Sequence, residues 1–192
     1  MPDKILVLGL GNILLQDEGL GVRAVEQLAA RYELPPDVEV LDGGTLGLDL
    51  LPRLDGVHTL LLVDAVKSGQ PPGTLIRLEG DAIPVALALK MSMHQLGLGD
   101  LLAVSSLRGT LPPRVILWGM EPASFDWSLD LSPSVTARLD ELVQVVVLEL
   151  CDLGIGVQRI VEKDERRTRH PAHRALRSSP CTNSRSRKAS LM

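Results

Sequence analysis

The sequence predicts an α/β fold with three layers, in which a twisted, mostly parallel sheet of about five strands lies between helices. Three observations support this prediction. Short apolar runs recur and stop at Gly or Asp, segments with helical periodicity lie between them, and 45% of the 192 residues are hydrophobic. Strands that alternate with helices form parallel sheets covered on both faces, and this apolar fraction is sufficient for a packed core.

Five apolar runs predict the strands, at residues 4–10, 38–41, 58–63, 74–79 and 114–119. Helical spacing of apolar residues predicts four helices, at about residues 22–32, 46–54, 92–107 and 132–154. The third helix opens with the capping box Ser92-Met-His-Gln95. Ser132-Pro133 supplies a cap and a first-turn proline for the last helix, which is expected to be long and continuous.

Composition excludes several classes of protein. Aromatic residues make up only 2% of the chain, which argues against a nucleic-acid reader that stacks bases on rings. Two cysteines cannot form a disulfide framework or a four-thiolate zinc site. No apolar stretch approaches the ~20 residues of a membrane span. We therefore expect a cytoplasmic protein with neither nucleic acid nor membrane as partner.

Charge is distributed unevenly along the chain. Residues 1–158 hold 10 Lys and Arg against 21 Asp and Glu, whereas residues 159–192 hold 10 against 3. The basic segment also lacks the large apolar residues that could offset the entropy of ordering it. We predict a folded domain at residues 1–156 and a basic, disordered tail at residues 157–192. The tail could be a solvated extension, an arm that binds polyanions, or an altered reading frame.

Candidate functional residues lie where the apolar runs stop, because open parallel sheets bind ligands beyond the carboxyl ends of their strands. These residues are Asn12, Asp17, Glu18, Asp42, Asp64 and His94. Gly9-Leu-Gly11 begins a dinucleotide fingerprint, but Leu14 occupies the position of its third glycine, so nucleotide binding is a weak alternative. The nucleophile motif G-x-S-x-G is absent from the sequence. Asp42-Gly-Gly-Thr45 occurs once, whereas an aspartic dyad needs two such acids.

Three of these residues have simple structural interpretations when each is taken alone. Glu18 could complement the dipole of the first helix with Asp17 as its N-cap, Asp64 could end a strand in a turn, and His94 could be an ordinary histidine. Taken together, two carboxylates and an imidazole kept neutral at a helix N-terminus form a three-ligand set with open coordination positions. Such a set suits nickel or zinc.

Four stretches resemble the hydrogenase maturation proteases, which are nickel-dependent endopeptidases that process the large subunit of nickel–iron hydrogenases. They are residues 7–23 (VLGLGNILLQDEGLGVR), Leu41-Asp-Gly-Gly-Thr45, Val63-Asp-Ala65 and His94-Gln-Leu-Gly97. Their order and spacing make the resemblance specific, and it extends from about Lys4 to Leu153. The basic tail lies outside it.

The resemblance implies roles for the candidate residues. Glu18, Asp64 and His94 would be metal ligands, and Asp42 would be a catalytic acid or base, or a contact to the substrate backbone. The metal would be nickel already held by the partner, a hydrogenase large-subunit precursor, with zinc or cadmium as substitutes in vitro. A monomeric enzyme would make a single cut that removes a C-terminal extension from this precursor, by aspartic-type or metal-assisted hydrolysis. The alternatives are a non-catalytic nickel-sensing chaperone and a nucleotide-binding α/β protein.

Overall fold

The computed structural model describes residues 3–83 and 93–160, and only the backbone of residues 93–96. The described strands are β1 (Ile5–Leu10), β2 (Tyr32–Glu33), β3 (Val38–Gly44), β4 (Thr59–Ala65), β5 (Leu75–Glu79), β6 (Arg114–Met120) and β7 (Gln158–Arg159). Five of them form the main sheet in the order β3-β1-β4-β6-β5. All pairs in this sheet are parallel except β5 with β6, so the predicted mostly parallel sheet is confirmed.

The helices cover both faces of the sheet and confirm the three predicted layers. They are α1 (Leu20–Arg31), α2 (Met93–Leu107), α3 (Pro133–Thr136) and α4 (Leu139–Asp152), with 3₁₀ helices at Gln16–Gly19 and Gly47–Arg53. One apolar core lies under α1 and α4, and a second lies under α2 and the Gly47–Arg53 helix. None of the helices in the described part of the chain is long and apolar enough to cross a membrane.

The continuous apolar runs of the sequence follow from these two cores. In β1, Ile5 and Val7 enter the first core, whereas Leu6 and Leu8 enter the second. Because successive strand residues point to opposite faces, every side chain of a strand covered on both sides is buried and is therefore mostly apolar. Every residue of β1 and of β4 is buried.

The predicted long final helix is wrong, because the structure divides it into α3 and α4. Ser132 is extended (φ −60°, ψ 154°) and makes no side-chain cap hydrogen bond. Its backbone N–H instead donates to the buried carboxylate of Asp17 at 2.7 Å, which holds the short α3 against the first loop of the chain. The helix then stops, and α4 begins after Arg138.

The folded part of the chain extends beyond the expected boundary at residue 156. Val157 is 1% exposed and belongs to the core under α1 and α4. Strand β7 pairs antiparallel with β2, which directly follows α1. The predicted tail begins at residue 157, and its residues 161–192 lie outside the described residues, as does Ser92 of the predicted capping box.

Candidate active site

Two of the candidate acids, Asp42 and Asp64, lie at the carboxyl edge of the sheet, where three parallel strands end. Gly9 of β1 is in register with Asp42 of β3 on one side and with Val63 of β4 on the other. Asp64 follows Val63 and is paired with Gly119 of β6. The carboxyl ends of β1, β3 and β4 therefore bring Asp42 and Asp64 to the same edge, on strands that flank β1.

Glycines bring the loop after β1 close to this edge. Gly11 has φ +121°, and a Cβ there would lie 1.7 Å from the carbonyl oxygen of Glu18. A Cβ at Gly21, in the first turn of α1, would lie 2.0 Å from the carbonyl oxygen of Val63. Only glycine permits such close backbone approach at both positions. The 3₁₀ helix Gln16–Gly19, which carries Glu18, consequently contacts β4.

Glu18 and Asp64 are both buried at this point of contact. Their exposed fractions are 5% and 0%. One Asp64 oxygen, Oδ1, accepts a hydrogen bond from the backbone N–H of Ala65 at 2.7 Å. Burial of a carboxylate is costly unless positive charge or hydrogen-bond donors compensate it. The candidate site therefore contains two buried acids on adjacent elements at the carboxyl edge.

Asp42 has a different environment from these two acids, because it is exposed. Its Oδ1 accepts the backbone N–H of Gly44 at 2.9 Å, an Asx-type contact that shapes the turn after β3. The Gly44 carbonyl in turn accepts the N–H of Gly11 at 3.0 Å. Asp42 therefore lies on the solvent side of the site, on a turn fixed to the loop that leads to Glu18.

His94 lies in the first turn of α2, as predicted, and its side chain is outside what the structure describes. Helix α2 packs on the Gly47–Arg53 helix that follows β3. A Cβ at Gly97 would lie 3.3 Å from the Gly47 Cα, so the first turns of α2 lie against the turn region after Asp42. Among the side chains that the structure describes, no three His, Cys, Asp or Glu residues form a metal-binding group.

Asp17 has a role that sequence reasoning missed. The interpretation as an N-cap is wrong, because Asp17 is fully buried and makes no cap to α1. Its Oδ2 accepts the N–H groups of Ala123 and Ser124 at 2.8 and 3.2 Å, and its Oδ1 accepts that of Ser132. One carboxylate thus attaches the segment between β6 and α3 to the loop that carries Glu18. An acid at the end of a loop gave no sequence signal for partners more than 100 residues away.

Glu121 is a second buried acid that sequence reasoning missed, one residue after β6. Its Oε2 accepts the backbone N–H of Ser68, the Ser68 hydroxyl at 2.6 Å and the N–H of Gln70 at 3.3 Å. Burial raises the pKa of Glu121, but these hydrogen bonds outweigh it and hold the pKa below its ordinary value. The carboxylate therefore fixes the loop that follows Asp64 and β4.

Comparisons with known proteins agree with this architecture. The HycI family model, described as hydrogenase maturation protease, matches residues 22–149. The hydrogenase expression/formation protein HupD of Rhodobacter capsulatus is 43% identical over 160 residues, which cover 82% of this chain and 76% of that protein. The hydrogenase 2 maturation protease of Escherichia coli is 41% identical over 153 residues, which cover 79% and 93%.

A solved structure shares the fold. The hydrogenase maturating endopeptidase HybD from E. coli superimposes with a TM-score of 0.78 at 40% identity, covering 81% of this chain and 97% of that one. The fold and these relatives define the class of protein, an α/β endopeptidase. More particularly, the chain belongs to the hydrogenase maturation protease family, which confirms the resemblance inferred from its sequence motifs.

Proposed function

We propose that this protein removes the C-terminal extension of a nickel–iron hydrogenase large-subunit precursor after nickel insertion, and that Glu18, Asp64 and His94 bind the nickel carried by that precursor. The observation that supports this most directly is the pair of buried acids at the carboxyl edge, Glu18 and Asp64, in a chain of this family. We expect the enzyme to act as a monomer in the cytoplasm.

The donor set fits the proposed ion. Carboxylate oxygens and an imidazole nitrogen are suitable ligands for nickel and zinc, and three protein ligands leave coordination positions open. The precursor would fill the remaining positions with its own ligands. A divalent cation also compensates the charge of two carboxylates held in a buried site. Zinc or cadmium should bind the same three ligands in vitro.

In this proposal the nickel is part of the substrate, and the enzyme uses it to position the peptide. Binding of the ion by Glu18 and Asp64 fixes the adjacent C-terminal segment against the sheet edge, where Asp42 is exposed. Water adds to the scissile carbonyl carbon, the C–N bond breaks, and the departing amine takes up a proton. Asp42 is the residue that we propose for this proton transfer or for a hydrogen bond to the substrate backbone.

The test is the mass of the precursor before and after incubation with the enzyme. Nickel-loaded precursor should lose its extension without added metal, and nickel-free precursor should stay intact. Free zinc should not replace the inserted nickel and should inhibit by occupying the three ligands. Cleavage of nickel-free precursor would contradict recognition through the metal. Tight binding of loaded precursor without any cleavage would instead indicate a chaperone.

Variants test the individual residues. Glu18→Gln, Asp64→Asn and His94→Ala should abolish processing while changing the free energy of unfolding by less than about 1–2 kcal/mol, because these residues are proposed to serve binding and not packing. Glu33→Gln is the matched control, since Glu33 is an exposed acid on β2, outside the main sheet. If Glu18→Gln processed the precursor at the wild-type rate, the assignment of Glu18 as a metal ligand would be wrong.

A further inference from the structure

Four large apolar side chains are exposed beside the turn that carries Glu18. Ile13 and Leu14, in the loop after β1, are 38% and 47% exposed. Trp127 and Leu129, in the segment between β6 and α3, are 81% and 61% exposed. Single exposed apolar residues are ordinary, but a group on two adjoining segments indicates a surface that binds a partner.

Backbone hydrogen bonds join these two segments. Ser128 forms a parallel bridge with Leu15, in which its N–H donates to the Leu14 carbonyl at 3.1 Å and its carbonyl accepts the N–H of Gln16 at 2.9 Å. Trp127 and Leu14 directly precede the bridged residues, so they are neighbours across the bridge. The three N–H donors to Asp17 fix the same segment on both sides of Ser128.

Backbone strain is present at the same place. Gln16 has φ +46°, the left-handed region that residues other than glycine rarely adopt. Such strained conformations persist where surrounding contacts determine them, and they cluster at functional sites. Here the contacts on both sides of Gln16 are the bridge to Ser128 and the carboxylate of Asp17. The exposed apolar side chains are therefore attached to a fixed framework.

The distance to Glu18 indicates which partner covers this surface. Leu15 and Glu18 are three residues apart, and an extended chain of that length spans at most about 11 Å. A stable protein complex covers about 800 Å² of each partner, which corresponds to a patch with a radius of roughly 16 Å. We therefore expect a protein substrate that brings its peptide to Glu18 to cover the bridge and the residues beside it as well.

We propose that Ile13, Leu14, Trp127 and Leu129 form a docking surface for an apolar patch on the body of the precursor, next to its C-terminal segment. This inference rests on the proposed function. Exposed tryptophan is a typical source of binding energy at protein interfaces, where it inserts into a pocket of the partner. Asp126 and Asp130 are exposed beside Trp127 and Leu129, and the Arg23 guanidinium donates to the Leu129 carbonyl at 3.4 Å. We therefore expect the matching rim of the precursor to carry charges of both signs, with basic side chains opposite the two aspartates.

The experiment compares kcat and KM for nickel-loaded precursor. Trp127→Ala and Leu129→Ser should each raise KM about tenfold, with kcat within about twofold of wild type, because they remove binding area and leave the acids in place. Trp127→Phe should recover part of the affinity. The matched control is Leu148→Ser, which changes a similarly exposed leucine (54%) on α4 and should leave both constants unchanged. The unfolding midpoints of these four variants should agree with that of the wild type.

Binding without cleavage separates this proposal from the proposed function. In the Asp64→Asn background, Trp127→Ala should weaken precursor binding about tenfold, as measured by surface plasmon resonance with nickel-free precursor. An unchanged affinity and KM in Trp127→Ala would overturn the docking surface while leaving processing intact. The docking surface would also be overturned if the wild type were a dimer and Trp127→Ala dissociated that dimer without affecting KM. Failure of the wild type to cleave loaded precursor would instead contradict the proposed function.

Discussion

Buried carboxylates are compensated differently in two regions of this molecule. In the first region, the side chain of Glu149 on α4 is 9% exposed and pairs with a cation. Arg77 donates to both of its oxygens, at 2.8 and 2.9 Å, and the indole N–H of Trp118 donates to Oε2 at 2.9 Å. At the carboxyl edge of the sheet, Asp17 and Glu121 instead accept backbone N–H groups from distant loops.

The difference teaches what each acid controls. A bidentate pair such as Glu149 with Arg77 joins two side chains whose backbones already belong to α4 and β5. Carboxylates that accept backbone N–H groups determine the path of segments that have no regular structure of their own. Asp17 and Glu121 should therefore control the shape of the site, whereas Glu149 should control stability alone.

Asp17→Asn should cause the largest loss of folding stability. An amide cannot accept the same three N–H donors, and its own NH₂ group would face one of them, so we expect a loss of about 3 kcal/mol or more in the free energy of unfolding. Processing should also fall, because the segment with Trp127 and the turn with Glu18 would lose their common anchor. Urea unfolding gives the first quantity, and kcat and KM below the unfolding transition give the second. Unchanged kinetics in a destabilised variant would show that Asp17 serves folding only.

Glu149→Gln should have a smaller effect that is confined to stability. The substitution removes a charge-assisted pair that is partly accessible to solvent, for an expected loss of about 2 kcal/mol. Arg77 keeps Glu79 as a partner at 2.8 Å, so no cation is left isolated. Processing constants should equal those of the wild type. The control is Glu141→Gln, which breaks an exposed pair with Arg138 and should cost less than about 1 kcal/mol.

The same contrast explains how far the sequence predicts this protein. Alternating apolar runs and helical segments determine the layers, because those patterns follow from burial on both faces of each central strand. The position of Asp42 and Asp64 at the carboxyl edge follows from where the apolar runs stop, because parallel strands end on the same side of a sheet. None of these inferences required knowledge of a distant contact.

The predictions that failed, or that were never made, depend on contacts distant in sequence. Asp17 and Ser132 are 115 residues apart, and their hydrogen bond leaves no periodic pattern in either segment. Val157 is buried just before a strand of only two residues, which is too short to show alternation in the sequence. Loop anchors of this kind become visible only when the sheet brings the loops together.

The smallest expected effect is a change in how stability depends on pH. The Arg77 guanidinium holds the pKa of Glu149 below its ordinary value of 4.5, against the opposing effect of burial. A lowered pKa in the folded state contributes stability that is fully present above the unfolded value, near 4.5, and is lost as the pH falls through the folded value. Glu79 has the same direction of shift, from its hydrogen bonds with Arg77 and Arg114, but it is more exposed and contributes less.

The pH dependence should therefore distinguish the two regions. The difference in unfolding free energy between wild type and Glu149→Gln should be constant from pH 6 to 8 and should shrink as the pH falls below about 4.5, because protonation removes from the wild type the charge that the variant already lacks. Glu121, whose pKa is also lowered, still titrates in the variant, so some acid sensitivity should remain. Urea unfolding at pH 7, 5, 4 and 3 measures both curves. If the unfolding free energies of the wild type and of Glu149→Gln ran parallel over this pH range, the charge of Glu149 in its pair with Arg77 would make no net contribution to stability. The two regions would then differ in which segments their acids join and not in how charge stabilises them.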